Sequence, residues 1–290
     1  MSAKPYSCAS WPEVRDRWFH LARSGSAANA ATARPTNRGD SGYPAAVELM
    51  TAEANAAIAG CRAGGATEIL VNDSHGGMYN LDPRTLDPTA RLLQGQKAWS
   101  MVAGAGPDAG FDVALFVGYH ARAGHPSGTI AHTFSGRPTE TRLNGRPVGE
   151  TGLNASVLGQ WGIPVGLVAG DDALADEVAG WLPWAERVVV KIGFGSNAAA
   201  SLHPSAAGDL IRAAAERAVR RAAAGELELL VVDRPTAIEV DYTKAIQADY
   251  AAIVPGAERV GDRGVRHVGD DPVGAYRGFL AGLRLAGTVD

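Results

Sequence analysis

"TEILVNDSHGGM", residues 67 to 78, decides how this chain is read. Residues 67 to 72 form the short apolar run of a buried strand, which stops without warning at Asp73, Ser74 and His75 before two glycines. Three polar side chains add nothing to a packed strand. Strand ends in α/β sheets are where loops diverge and ligands bind, so this carboxyl end is where chemistry is expected. Working outward, comparable runs recur at "RLLQG" (91–95), "DVALFVGY" (112–119), "PVGLVAG" (164–170), "RVVVKIG" (187–193) and "LELLVVD" (227–233). Helical stretches lie at 44–63, 150–161, 171–182, 205–223 and 271–286. In the first of them Val47, Met50, Ala54, Ile58 and Cys61 make one apolar stripe, with Pro44 suited to the first turn and Gly64 and Gly65 able to end it. Near-continuous apolar strands separated by helices predict an α/β fold: a mostly parallel sheet covered by helices on both faces, with a smaller C-terminal α/β part. "RLNGRPVGE" (142–150) adds a hairpin around the preferred turn pair Asn144-Gly145.

The same pass divides the chain into three parts. Residues 1–43 diverge in composition, and "RSGSAANAATARPTNRGDSG" (23–42) lacks any apolar period, so a loosely ordered N-terminal segment is expected there. Residues 44–200 read as the α/β domain that carries the site, and 201–290 as the smaller C-terminal α/β region.

Composition narrows the function. With 46% hydrophobic residues the 290-residue chain can bury a large core. Its net charge is -4 and its 27 basic residues are dispersed, which argues against nucleic acid as a partner. The longest apolar stretch, 113 to 117, is far too short to cross a bilayer, and the first twenty residues hold no apolar run of a secretory signal. Cys8 and Cys61 fit neither a disulfide framework nor a zinc knuckle, so a cytoplasmic location is expected.

Three histidines fall at strand ends or just beyond: His75, His120 closing "FVGYH", and His132 in "TIAHTF". Glu150 opens the helix "ETGLNASVLGQ", at the positive end of its dipole. Two imidazoles and a carboxylate are the set that a divalent metal such as zinc prefers, with a position left for water. Such a metal suits amide hydrolysis. Each residue also has a plainer reading, a hydrogen-bonded histidine or a helix-start carboxylate, and spacing alone does not choose between them.

The longer motifs "LMTAEANAAI" (49–58), "VNDSHGGMYNLDP" (71–83), "LFVGYHARAG" (115–124), "IAHTFSG" (130–136), "NGRPVGETGLNA" (144–155) and "VAGDD" (168–172) resemble the zinc-dependent D-aminopeptidase family in order and spacing, from about Tyr43 to the carboxyl end. The resemblance implies that His75, His120 and Glu150 are metal ligands and that His132 is the catalytic histidine. It implies two zinc ions per subunit, short peptides with N-terminal D-residues as substrates, and a ring-shaped homo-oligomer. The family's first strand ends in Asp-x-Glu-Gly, whose aspartate bridges the two metals; no such motif occurs here. "ASWPEV" (9–14) resembles the segment that follows it, which puts the counterparts of those ligands at residues 1 to 3, Met-Ser-Ala, and leaves the first strand missing. Two cations without a bridging carboxylate repel at short range, so one zinc or none is the expectation for this chain. A misplaced start or a frameshift would produce such a gap, and reading the DNA upstream of Met1 in three frames tests that origin.

Three other readings compete. A catalytically impaired, oligomeric peptide-binding homologue would keep the pocket without turnover. A dinucleotide site is suggested by Gly193, Gly195 and Ala198 in G-x-G-x-x-A spacing after a strand, although Pro204 interrupts the helix and no acidic residue follows at the required distance. A serine hydrolase around Ser74 lacks the first glycine of the nucleophile elbow.

Overall fold

The computed structural model of the chain describes residues 18–23, 39 and 41–289. Its larger sheet has seven strands: β1 (Trp18–Arg23), β2 (Glu68–Asp73), β3 (Arg91–Leu93), β4 (Phe111–Val117), β7 (Val165–Asp171), β8 (Glu186–Gly193) and β9 (Ala199–Ser201). They run in the order β3-β2-β1-β4-β7-β8-β9, every pairing parallel except the last. A second sheet, antiparallel throughout, takes the hairpin β5 (Pro138–Leu143) and β6 (Arg146–Pro147) from mid-chain and adds β10 (Thr236–Tyr242), β11 (Ala257–Val260) and β12 (Gly264–Gly269). The hairpin turns at Asn144 and Gly145, both with positive φ (48° and 80°), the geometry that makes this dipeptide the preferred two-residue turn.

The parallel sheet is buried on both faces because its strands alternate two apolar sets. Val113, Leu115 and Val117 of β4 join a core with Met50 and Ile58 of α1 (Tyr43–Ala63) and Ile211 of α4 (Pro204–Ala223). Ala114 and Phe116, pointing the other way, join a core with Leu153 and Val157 of α2 (Glu150–Gln160) and Leu174 of α3 (Asp172–Trp181). That second core continues into the antiparallel sheet and into α6 (Pro272–Ala286), beside the short α5 (Ala245–Ala251).

Two sequence expectations are corrected. A strand does precede α1: Trp18–Arg23 occupies the centre of the large sheet, between β2 and β4. A centre left empty would expose two rows of unpaired backbone groups, which is why even an unpromising segment fills it. Residues 1–17, 24–38 and 40, including "ASWPEV" and most of the expected loop, lie outside the described residues. The second correction concerns "LELLVVD" (227–233), which forms no strand. Its alternation is real, since Leu230 and Val232 pack on the core while Val231 is exposed, but the backbone runs past Gly159 of α2 and pairs with no strand.

Burial of His267 on β12 has a thermodynamic consequence. Its ring packs against Gly278 and Gly282 of α6, neither ring nitrogen has a hydrogen-bond partner, and burial pushes its pKa down to about 4. The unfolded chain protonates this ring near its ordinary value of about 6.5, so between these limits the unfolded state binds more protons. Stability is therefore complete above pH about 6.5 and falls as pH drops towards about 4, by up to about 3 kcal/mol from this group. Urea unfolding at pH 4.5 and pH 7 is expected to show a smaller pH-dependent loss in His267→Leu than in the wild type; equal losses in both would remove His267 as the cause.

Candidate metal centre

The site follows from strand register. Arg23 of β1 lies level with Asp73 of β2 on one side and Val117 of β4 on the other, so the loops leaving β2 and β4 emerge at the same height. The order of strands reverses here, with β2 and β3 to one side of β1 and β4 and β7 to the other, which opens a crevice at the carboxyl ends. His75 lies two residues beyond β2 and His120 three beyond β4.

The polar run that ends β2 has a divided task. Asp73 holds the loop: its buried carboxylate accepts the backbone N–H groups of Asn80 and Leu81 (2.8 Å to Leu81) and the side-chain amide of Asn80 (2.9 Å). That amide also donates to the carbonyl of His75 (2.7 Å), and Lys97 Nζ donates to the carbonyl of Asp73 (2.7 Å). Asn72 ties the strand end to the next loop by donating to the carbonyls of Ser100 and Met101. His75 is thereby presented to the cavity that it lines.

His120 is buried, with Nδ1 at 3.1 Å from the Ala121 carbonyl, an arrangement that keeps the proton on Nδ1 and the lone pair on Nε2. Nε2 has no hydrogen-bond partner and faces Glu150 Oε1 at 3.5 Å. Burial, and then the neighbouring His132, push the His120 pKa well below the usual histidine range, against the opposing hydrogen bond to Ala121. His132 repeats the pattern: Nδ1 lies 2.7 Å from the Ile130 carbonyl, and Nε2 lies 3.8 Å from Glu150 Oε1. Glu150 is only 1% exposed, in the first turn of α2, and its Oε1 accepts the Phe134 backbone N–H at 2.6 Å. The ligand atoms of His120, His132 and Glu150 all lie within 4.8 Å of one another, a group that could hold a metal ion. His75 lies outside this group of three, on the wall of the same cavity of about 920 Å³.

One residue that holds the site's loops together escaped the sequence reading. Glu177 of α3 is partly buried, and its two carboxylate oxygens accept the backbone N–H groups of Arg122 and Gly149, each at 2.9 Å. Burial raises its pKa, against those two hydrogen bonds. One carboxylate thus staples the loop that carries His120 to the residue that precedes Glu150. Gly149 must be glycine for this, since a Cβ there would lie 2.6 Å from Glu177 Oε1. The signal was available: a carboxylate stands among Ala173, Leu174, Val178 and Trp181, the apolar stripe of α3. Glu177→Gln keeps the volume but turns an amide N–H towards one of the two donors. It is expected to weaken metal binding about 10- to 100-fold, as removal of a ligand's supporting partner does, with little loss of helix content. Competition with a chromophoric chelator measures this, and an unchanged affinity would reduce Glu177 to a packing residue.

The rival motifs resolve differently. After β8, Gly193 to Ala198 turn into antiparallel β9, not into a helix, and α4 begins only at Pro204; the dinucleotide reading has no helix N-terminus to hold a pyrophosphate. The turn serves the histidine site instead, since the Ile130 N–H bonds the Ser196 carbonyl (2.8 Å). Asn154 is buried, accepting from Tyr276 Oη (2.7 Å) and donating to Tyr119 Oη (3.3 Å), so it props the interior behind Glu150. His125 lines the cavity.

Fold and site together define an α/β protein with a buried histidine–carboxylate centre at the switch point of its sheet. Residues 27–281 match the peptidase family M55, described as D-aminopeptidase, and the chain belongs to that family. Over 164 residues it is 44% identical to a D-aminopeptidase of Bacillus subtilis (strain 168); that stretch is 56% of this chain and 59% of the relative, so the alignment spans little more than half of either. A solved structure, the Zn-dependent D-aminopeptidase DppA from Bacillus subtilis, a self-compartmentalizing protease, superposes with a TM-score of 0.87 at 32% identity, covering 94% of this chain and 99% of that one. No helix among the described residues is long and apolar enough to cross a membrane.

Proposed function

We propose that the protein is a zinc-dependent aminopeptidase that removes the N-terminal residue of short peptides, D-residues preferred, and that it works as a ring-shaped homo-oligomer in the cytoplasm. The observation that carries this reading is the orphaned Nε2 of His120. A buried imidazole whose other nitrogen is tied to a carbonyl, and whose lone pair faces a buried carboxylate, has the arrangement of a metal ligand. Two imidazoles and a carboxylate suit zinc.

The stacking of the histidines favours a division of roles. The rings of His120 and His132 lie face to face, centroids 3.9 Å apart and planes 20° from parallel. Two near-parallel rings at that spacing cannot both aim an in-plane lone pair at one ion about 2.0–2.1 Å from each nitrogen. This supports His120 and Glu150, joined by His75, as the ligands, and leaves His132 to handle protons. When bound, zinc polarises the scissile carbonyl and makes water acidic. The chain's own part is then specific. The Phe134 N–H fixes the Glu150 carboxylate, and Glu177 sets its distance from His120. His132, 28% exposed to the cavity and with Nδ1 committed to Ile130, takes up and delivers a proton at Nε2.

The peptide-binding reading without turnover is not favoured, since the family model and the named relatives are D-aminopeptidases. The test is hydrolysis of a short D-alanyl peptide by protein stripped with a chelator and then titrated with zinc. Activity should vanish on stripping and return with zinc; activity indifferent to the chelator, or none after reloading with zinc bound, would overturn the reading.

A further inference from the structure

Beside the main cavity lies a second one of about 440 Å³ that shares Gln96, Leu280 and Arg284 with it. Its remaining wall includes Lys97, Trp99 and Arg277. Three of its lining side chains are cationic and none is acidic, in a chain whose net charge is -4. Two of the cations are held in place. Lys97 Nζ donates to the carbonyls of Asp73 (2.7 Å) and Gly95 (2.9 Å), and the Arg277 guanidinium lies 4.9 Å from the centre of the Trp99 ring. An ordinary solvated face has cations interspersed with acids on free side chains. Arg284 alone could be explained by its place in the last turn of α6, where a cation favours the helix dipole, but that does not account for the other two.

We propose that this annex binds the C-terminal carboxylate of the peptide substrate. The inference rests on the aminopeptidase reading, for it assigns the two ends of one substrate: the N-terminal residue at the histidine–carboxylate centre, and the free carboxylate at Arg284 and Arg277, with Lys97 behind them. Guanidinium groups are suited to the task because their paired N–H donors match the two oxygens of a carboxylate. Apolar Leu280 lines both cavities and offers a surface for the side chain between the two ends. The annex would make the enzyme selective for short peptides with a free carboxyl end, because a longer or capped chain cannot place a charge there.

The probes are a short D-alanyl peptide as the free acid and as the C-terminal amide. For the wild type, KM for the amide is expected to exceed that for the acid about tenfold with kcat little changed, the pattern of a contact present equally in ground and transition states. In Arg277→Gln/Arg284→Gln the two peptides should become equivalent within about twofold, through loss of the acid's advantage. Calorimetric binding of both peptides to His132→Ala, which holds peptide without turnover in this reading, separates the two hypotheses. A preference for the acid that disappears with the arginines supports the annex whether or not the wild type hydrolyses either peptide. Equal affinities for acid and amide overturn the annex, even where hydrolysis is robust. Absence of hydrolysis by zinc-loaded wild type overturns the aminopeptidase reading alone.

Discussion

His132→Ala is expected to lower kcat for a D-alanyl peptide by about 10²- to 10⁴-fold, the range for loss of a positioned acid–base group, while zinc content per chain stays at the wild-type value. The expectation comes from the geometry of the pair. His132 Nδ1 is fixed by the Ile130 carbonyl at 2.7 Å, its Nε2 reaches within 3.8 Å of Glu150, and its ring lies flat on that of His120. A ring in that attitude can exchange a proton with a group in the cavity but cannot share an ion in the plane of its neighbour. Metal analysis alongside steady-state kinetics checks both halves. Zinc lost together with activity would make His132 a ligand and would send the search for the proton carrier elsewhere.

Glu150→Gln is expected to have the larger effect on the metal. The carboxylate is the one anion among the three clustered groups, and it faces the Nε2 atoms of both histidines. Removing its charge should weaken zinc binding by more than the roughly 100-fold that marks the upper end for a supporting partner, and should abolish turnover with it. Stability provides an independent reading. In metal-free protein the buried Glu150 carboxylate, bonded by the Phe134 N–H, lies beside a His120 ring whose burial disfavours its charged form, so the substitution should cost little or even stabilise. Added zinc should raise the melting temperature of the wild type, as any ligand of the native state does, and leave that of the variant nearly unmoved. An equal zinc-induced shift in both proteins would show that the ion binds elsewhere.

How much of this was legible in the sequence depends on whether local pattern or register decided the matter. The strands β2, β4, β7 and β8 and the helices α1 to α4 and α6 announce themselves through apolar period and capping signals: Pro44 and Gly64 bound α1, and Asp171 caps α3 by accepting the Leu174 N–H. His75, His120, His132 and Glu150 could be named because each stands where an apolar pattern breaks. That three of them converge could not be read from spacing, because the meeting depends on parallel pairing through β1, and "WFHLAR" has neither the composition nor the flanking turns of a central strand. Strand β10 is readable from its alternating, buried Ile238, Val240 and Tyr242, whereas "LELLVVD" alternates too and pairs with no strand. Glu177 was hidden for another reason. A carboxylate in a helix is ordinarily a solvated residue, and only the fold reveals that its two acceptors face N–H groups belonging to two different loops.

The most direct trial of the account is anomalous scattering at the zinc edge from crystals of the zinc-loaded protein. A peak about 2.0–2.1 Å from His120 Nε2, bonded also to Glu150 and His75 with His132 unbonded beside it, is the expected result. Density at the edge that avoids His120 altogether, or no peak in protein that hydrolyses the peptide, would contradict it.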